Sequence, residues 1–246
     1  GQRETLNPEQ LAAINTIEES GAEVTIKNID ISDVQETALL INDISSSRSL
    51  KGIVHAAGVS DICLLDDMTP EKFRQVTRSK IEGGWNLHSA TQSIDVDFFL
   101  VFSSIASVWG SGGMAHYAAG NQFLDGLVSY RESLGLPASS VNWGPWQGAG
   151  MAQGDAEAAA SKRGLLPLKA EECLSIVEAA ISLPFQPIVF ADVDWNVFKE
   201  IFEVRRKHPL LTNVGHSVLS KAEHTGVKNA FFASLYTMDV EQRCVQ

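Results

Sequence analysis

Near the middle of the chain stand four apolar residues without a polar break, Phe99-Leu100-Val101-Phe102. Such a run suits a strand buried on both faces, as in a parallel sheet. It ends in Ser103 and Ser104, and a glycine-rich stretch follows. From Tyr117 to Leu134 the spacing is helical, and Gly135 is placed to end the helix. Ser139 to Trp143 reads as a second short strand. A Ser therefore ends a buried strand and a Tyr opens the next helix. In open α/β sheets, ligands bind at the carboxyl ends of the strands.

The same pattern continues on either side. Leu11, Ile14 and Ile17 predict a helix from Pro8 to Ser20, stopped by Gly21. Glu23 to Ile31 alternates well enough for a strand. Asp33 is a candidate N-cap for a helix to about Ser45. Lys51 to Gly58 reads as a strand, and Ala56-Ala57-Gly58 at its end suits either close approach to a ligand or ordinary packing. Thr69 as cap and Pro70 at the first position open a helix to about Gln92. Its stripe of Phe73, Val76, Gly84 and Leu87 is interrupted by Lys80, which either snorkels outward or reaches a buried partner. Gly83 and Gly84 weaken that helix by about 1 kcal/mol each relative to Ala and predict close approach of another backbone. Ala170 to Ser182 is an amphipathic helix, Ile188 to Asp194 the last strand, and Trp195 to Phe202 a closing helix. Strands alternating with helices predict an α/β fold with a parallel sheet.

Composition narrows the function classes. The 246 residues suit one α/β domain, and 44% hydrophobic content is enough for a full core. A net charge of −11 argues against a nucleic-acid partner. It does not exclude a phosphate-bearing cofactor, because phosphates are held locally by backbone N–H groups. Cys63, Cys173 and Cys244 lack metal-type spacing and read as reduced cytoplasmic thiols. The six His lack zinc-site spacing, so no metal is assigned. No stretch reads as a signal peptide or as an apolar run long enough to cross a membrane.

Five strings carry a family resemblance: HAAG (His55 to Gly58), SKIEGGWNLH (Ser79 to His88), FSS (Phe102 to Ser104), HYAAGN (His116 to Asn121) and NWGPW (Asn142 to Trp146). In this order they resemble the short-chain dehydrogenase/reductases, and within them the ketoreductase domains of modular polyketide synthases. The resemblance covers roughly Glu23 to Phe198. Most short-chain reductases have Tyr-x-x-x-Lys. Here Tyr117 is followed four places on by Asn121, and the lysine lies upstream at Lys80. That exchange is peculiar to ketoreductases of polyketide and animal-type fatty acid synthases.

The resemblance implies a Rossmann-like doubly wound parallel sheet and a catalytic set of Lys80, Ser104, Tyr117 and Asn121. The residues permit that chemistry. A phenol with a pKa near ~10 is a weak acid, and a nearby ammonium stabilises its phenolate. Tyr117 with Lys80 can then protonate a ketone oxygen. Ser104 can donate a second hydrogen bond to it. Asn121 shares a helix face with Tyr117 and can orient Lys80 or a water. Hydride must come from a reduced nicotinamide, NADPH by resemblance. Taken singly, a Tyr at a helix start is ordinarily packing and a Ser after a strand ordinarily a cap. By resemblance, Asp30 and Ile31 lie beside the cofactor adenine, and Ala57, Gly58, Lys80 and Tyr117 also touch the cofactor. Asp30 can equally end its strand and bond the next turn.

Some features depart from the family. No G-x-G-x-x-G precedes the first strand, so the chain reads as a domain lacking its first strands and glycine-rich loop. On that reading it binds NADPH poorly by itself. Gly1-Gln2-Arg3 stands where the family's basic turn for the 2′-phosphate ends. Ser60-Asp61-Ile62 replaces the Leu-Asp-Asp of B-type ketoreductases, and the literal Leu65-Asp66-Asp67 comes too late. Trp109, eight places before Tyr117, implies an A-type domain and an L-configured alcohol. Met114 occupies the place of the His that marks the epimerised-substrate subset. Trp109 can also be a loop aromatic covering apolar surface. Residues 147 to 163 resemble a lid, with Trp146 and Met151 facing the acyl chain.

The expected organisation is a partial catalytic domain over residues 1–205 and a linker over 206–246. Phe231 to Val245 would lead into an acyl-carrier domain. The expected reaction is reduction of a β-ketoacyl thioester, borne by that carrier domain beside other synthase domains. The alternatives are a free-standing short-chain carbonyl reductase and a pseudo-ketoreductase that only supports its neighbours.

Overall fold

The computed structural model describes residues 6–148, 154–182, 187–204 and 206–214. The chain divides into two compact units, Gly1–Phe198 and Lys199–Gln246.

The first unit is built on a four-stranded parallel sheet. Its strands are β1 (Gly52–His55), β2 (Phe98–Ser104), β3 (Ser139–Trp143) and β5 (Pro187–Phe190), in the order β1-β2-β3-β5. The two-residue strands β4 (Leu165–Leu166) and β6 (Asp192–Val193) form a separate antiparallel pair. Phe99, Leu100 and Val101 are all fully buried, although successive residues face opposite sides of the sheet. Both faces of β2 are therefore covered, as the unbroken apolar run predicts and as a doubly wound sheet requires.

On one face lie α2 (Val34–Ser47), α3 (Pro70–Thr91) and α5 (Ala115–Ser133). Ile41, Leu87, Leu124 and Val128 from these helices close the core over Ile53, Phe99 and Val101. The α7 helix (Ala170–Ser182) packs on β2 and β3 and buries Cys173, Ile176 and Ala180. Short helices α4 (Ile105–Trp109), α6 (Asp155–Lys162) and α8 (Trp195–Phe202) complete the set, with α1 (Pro8–Glu19) at the start.

The helix ends follow the sequence signals. Thr69 Oγ1 accepts from Lys72 N at 3.3 Å, and Asp33 Oδ1 accepts from Gln35 N and Glu36 N at 2.8 and 3.0 Å. Gly135 takes φ 70°, the left-handed backbone that ends α5. Asn7 and Gln10 form a capping box at α1 that the apolar spacing alone did not announce.

Three expectations need correction. Residues 23–31 form no strand. Val24 and Ile26 are half-buried while Thr25 and Lys27 are exposed, so the alternation is real. The segment nonetheless belongs to neither of the described sheets. The single strand expected over Ile188 to Asp194 is two, β5 and β6, joined at Ala191. Gly144 comes so close to Ala191 that a Cβ on it would lie 3.1 Å from the Ala191 Cα. Lastly, Gly83 and Gly84 are approached mainly by side chains, with the Ile31 backbone 3.7 Å from a Cβ on Gly83. Cβ atoms on the pair would meet Ile31 Cδ1 at 2.8 Å and Leu124 Cδ2 at 2.9 Å, respectively.

In the second unit, Lys199 Nζ donates to the carbonyls of Leu211 at 2.7 Å and Val214 at 3.0 Å, around a 3-10 turn at Pro209–Leu211. Glu203 accepts from Lys207 Nζ at 3.1 Å and His208 N at 2.9 Å. Phe231 to Val245 lies outside the described residues. No helix among the described residues is long and apolar enough to cross a membrane.

Candidate active site at the carboxyl end of the central strand

The β2 strand delivers Ser104 to the carboxyl edge of the sheet, where it is buried. Its Oγ accepts from Ala106 N at 3.2 Å and caps α4. The cap uses the oxygen as acceptor, so the hydroxyl hydrogen stays available for donation. The cap and the catalytic assignments are compatible.

Tyr117 and Asn121 stand one turn apart on α5. Asn121 Nδ2 donates to the Tyr117 carbonyl at 2.8 Å, and the Asn121 carbonyl accepts from Ser103 Oγ at 3.2 Å. Burial pushes the Tyr117 phenol above its ordinary range, and hydrogen bonding with Ser104 and Asn121 opposes that. The phenol is therefore protonated at neutral pH, as a proton donor must be. The phenol thus sits above its ordinary range, not below it as a neighbouring ammonium would place it, and Lys80 is bonded to the Phe102 carbonyl.

Lys80 is 2% exposed, and its Nζ donates to the Phe102 carbonyl at 3.0 Å. Of the two fates open to it in the sequence, it takes the buried one. Burial lowers its pKa to about 8, with the Asp125 carboxylate acting in the opposite direction. The geometry is set where α3 crosses α5. A Cβ on Gly120 would lie 3.6 Å from Lys80 Cβ and from Thr77 Cα. Small residues on α5 thus leave the channel along which Lys80 reaches the sheet.

Strand β1 brings His55 against α3. Its ring bonds the Ser79 backbone, and burial followed by the Lys80 charge lowers its pKa to about 4. His55 Nε2, Ser79 Oγ, Asn121 Oδ1 and both ring nitrogens of His116 are buried without a hydrogen-bond partner. Buried polar atoms left open in this way mark a place where water or a ligand completes the structure.

Behind the edge runs a polar network that the sequence reading did not single out. Asp125 Oδ2 accepts from Ser107 Oγ and from Asn142 Nδ2, both at 2.7 Å. Ser107 Oγ also lies 2.8 Å from the Ser104 carbonyl, and Asn142 Nδ2 lies 3.1 Å from Ser103 Oγ. A signal for Asp125 was present: Tyr117, Asn121 and Asp125 recur at i, i+4 and i+8, a polar line on one helix face.

The remaining candidates are spread around this edge. Asp30 bonds Ser32 N at 2.9 Å and Arg78 Nη2 at 2.9 Å, in the local turn that its alternative reading describes. The Ile31 carbonyl accepts from Thr37 Oγ1 at 2.9 Å and Asn86 Nδ2 at 3.1 Å, which fixes the turn before α2. Ala57 and Gly58 follow the carboxyl end of β1, exposed and half-buried. Trp109 ends α4 with its ring 6.1 Å from Trp195 and 5.3 Å from Phe198, centre to centre. Met114 precedes α5, its Sδ 3.4 Å from Ser111 Oγ. Trp146 packs edge-on to Trp143 at 5.0 Å and pairs in a short bridge with Leu168. Leu65–Asp67 is a 3-10 turn ahead of α3, as its distance from HAAG implied. Met151 and Arg3 lie outside the described residues.

Two buried histidines give this fold an acid limit. His55 is one. His88 is the other: its Nδ1 accepts from Arg131 Nη1 at 3.1 Å, and burial and the guanidinium lower its pKa. Both are neutral when folded, whereas unfolding restores a pKa near 6.5. The unfolded state therefore binds more protons below about pH 6.5, and stability falls from there towards pH 4. For His55 the loss approaches about 3 kcal/mol at the lower end. Urea unfolding from pH 7 to pH 4.5 should show the midpoint dropping, and His88→Gln should remove part of the slope. A flat midpoint across that range would contradict the assignment.

The KR domain family matches residues 1–148. Polyketide synthase GfsA of Streptomyces halstedii is 34% identical over 220 residues, 89% of this chain and 3% of that protein. Pikromycin polyketide synthase component PikAIII of Streptomyces venezuelae is 36% identical over 195 residues, 79% of this chain and 12% of its own length. A solved structure described as an A1-type ketoreductase superposes with a TM-score of 0.80 at 33% identity, over 85% of this chain and 44% of that one. The chain thus spans a small part of these synthases and under half of that solved ketoreductase. Sequence match and backbone agree with the doubly wound sheet, and the chain belongs to the KR domain family.

Proposed function

We propose that this chain is part of a ketoreductase within a longer polyketide synthase polypeptide. It reduces a β-ketoacyl thioester, carried on an acyl-carrier domain, to the β-hydroxyacyl thioester. The observation that carries this reading is the meeting of Ser104, Tyr117 and Asn121 at the carboxyl end of β2, with Lys80 bonded to the adjacent Phe102 carbonyl.

The reduction needs a hydride and a proton at the two ends of a C=O bond. A reduced nicotinamide supplies the hydride when bound, since no side chain can. Buried open acceptors at His55 and Asn121 fit a polar group arriving at this edge. Lys80, Tyr117, Ala57 and Gly58 would hold the nicotinamide side, with Asp30 and Ile31 towards the adenine. Tyr117 transfers its phenolic proton to the carbonyl oxygen as charge develops there. Ser104 donates a hydrogen bond to the same oxygen. Lys80 keeps positive charge near the phenolate so formed, and Asn121 ties the first turn of α5 to β2. NADPH is the nicotinamide we assign.

The test uses the longer synthase with a diketide thioester and either NADPH or NADH. NADPH-dependent appearance of the β-hydroxy product is expected. Absence of reduction with both cofactors would leave only a supporting role for the domain.

The same reading assigns an A-type domain and an L-configured alcohol, resting on Trp109. Trp109 sits between Ser104 and Tyr117 and is wedged against Trp195 and Phe198, which fixes its ring. Trp109→Ala is expected to erode the stereochemical purity of the product, while Asp66→Ala with Asp67→Ala leaves it intact. Chiral chromatography decides, and a D-configured product from the unmodified protein would refute the A-type assignment.

A further inference from the structure

We propose that Asp125 is a positioning residue of this site. Its carboxylate, through Ser107, Asn142 and Ser103, holds Ser104 and Asn121 in place and supplies the negative charge that faces the Lys80 ammonium. The proposal rests on the reductase reading above and gives Asp125, Ser107 and Asn142 a part in it.

Asp125 is 8% exposed, two helical turns beyond Tyr117. An ionised carboxylate in such a place needs donors. Two reach Oδ2 at 2.7 Å, Ser107 Oγ and Asn142 Nδ2, while Oδ1 is buried and open. Each donor leads to a candidate catalytic group. Ser107 Oγ also lies 2.8 Å from the Ser104 carbonyl, so its single hydrogen is shared between that carbonyl and Asp125 Oδ2. Asn142 Nδ2 reaches Ser103 Oγ at 3.1 Å, and Ser103 Oγ donates to the Asn121 carbonyl at 3.2 Å. Asn121 in turn bonds the Tyr117 carbonyl at 2.8 Å. One carboxylate therefore joins β2, β3, α4 and α5 at the level of the reacting groups.

Its charge has a second use. The titratable groups within electrostatic reach of Lys80 are His55 from β1 and Asp125 from α5, the helix that also carries His116 and Tyr117. Strand β2 contributes none. On α3 itself, Arg78 and Glu82 are engaged at the surface, with each other and with Asp30 and Arg74. Asp125 is the carboxylic acid among them. Burial lowers the Lys80 pKa, and Asp125 works against that loss. A network that merely held the fold together would not require its charged member to sit within electrostatic reach of Lys80.

The experiment compares the longer synthase with its Asp125→Asn and Ser107→Ala variants. Asn retains an oxygen to accept from Ser107 and Asn142 but carries no charge. Lys80 is followed by pH-dependent labelling with an amine-reactive reagent and peptide mass spectrometry, which needs no turnover. In the unmodified protein the labelling midpoint is expected near 8. Asp125→Asn should lower it by about half a unit or more, and the alkaline limb of kcat should move with it. Ser107→Ala should leave the midpoint in place and lower kcat about tenfold with KM within about twofold, because Ser104 loses a tether and no charge is removed. An unmoved midpoint in Asp125→Asn, or an unchanged kcat in Ser107→Ala, overturns the proposal. If Asp125→Asn does not fold, the kcat of Ser107→Ala decides alone. A shifted midpoint in a protein that reduces no ketone would instead sink the reductase reading and leave the electrostatic link standing.

Discussion

Tyr117→Phe is expected to lose at least about 10²-fold in kcat while retaining cofactor affinity. General-acid contributions are of about this size or larger. The substitution removes a hydroxyl and keeps the ring, so α5 has no reason to rearrange: the tie from Asn121 Nδ2 runs to the Tyr117 backbone carbonyl, which the variant retains. Ser104 still donates to the substrate oxygen, so a small residual rate is expected. Burial holds the Tyr117 phenol above its ordinary range, which keeps the proton in place until the carbonyl oxygen develops charge. NADPH consumption with a diketide thioester reports kcat, and fluorescence titration reports cofactor binding. A variant within about threefold of the unmodified enzyme would remove Tyr117 from the role of acid.

The parts of this site that could be read in the chain are those with local causes. The apolar run before Ser103 gives β2, and Gly135 and Thr69 mark helix ends by their own backbone and side-chain chemistry. The five family strings then place Lys80, Ser104, Tyr117 and Asn121 in relation to one another. What escaped has non-local causes. Residues 23–31 alternate as a strand does, yet a strand exists only with a partner ladder, and alternation says nothing of partners. The spacing of Tyr117, Asn121 and Asp125 was visible, but the meaning of Asp125 depends on Asn142 from another strand. The glycine pair at Gly83 and Gly84 announced a close approach correctly, but not the side chains that make it. Side chains of Ile31 and Leu124 fill the space, and these come from segments far away in sequence. For Lys80, helical spacing showed a cation in an apolar stripe. The choice between snorkelling and burial turns on the Phe102 carbonyl opposite it, to which the ammonium donates.

Lys80→Met is expected to separate stability from function, with opposite signs. Lys80 is buried, and the drop of its pKa to about 8 means that folding carries a penalty for the charged form. The sign follows from linkage: a folded-state pKa below the unfolded value disfavours folding wherever the group is protonated in both states. The penalty is fully present below pH 8 and fades as the pH rises towards 10.5. It corresponds to about 3 kcal/mol, partly offset by the bond to the Phe102 carbonyl, which Met cannot make. Met matches the length of the lysine stem and packs adaptably along Thr77 and Gly120. A net gain of about 1–2 kcal/mol at pH 7 is therefore expected, since replacing a buried ion by an apolar residue of similar volume is often stabilising. The gain should shrink when the comparison is repeated near pH 10, because the unmodified protein then sheds the charge. Turnover should move the other way and fall about 10²-fold or more, since Lys80 is the cation proposed to balance the Tyr117 phenolate. Denaturant unfolding at the two pH values, beside kcat of the same preparations, gives all three quantities. A variant that is less stable at pH 7 would mean that Lys80 holds the fold. One that is more stable and equally active would take it out of the chemistry.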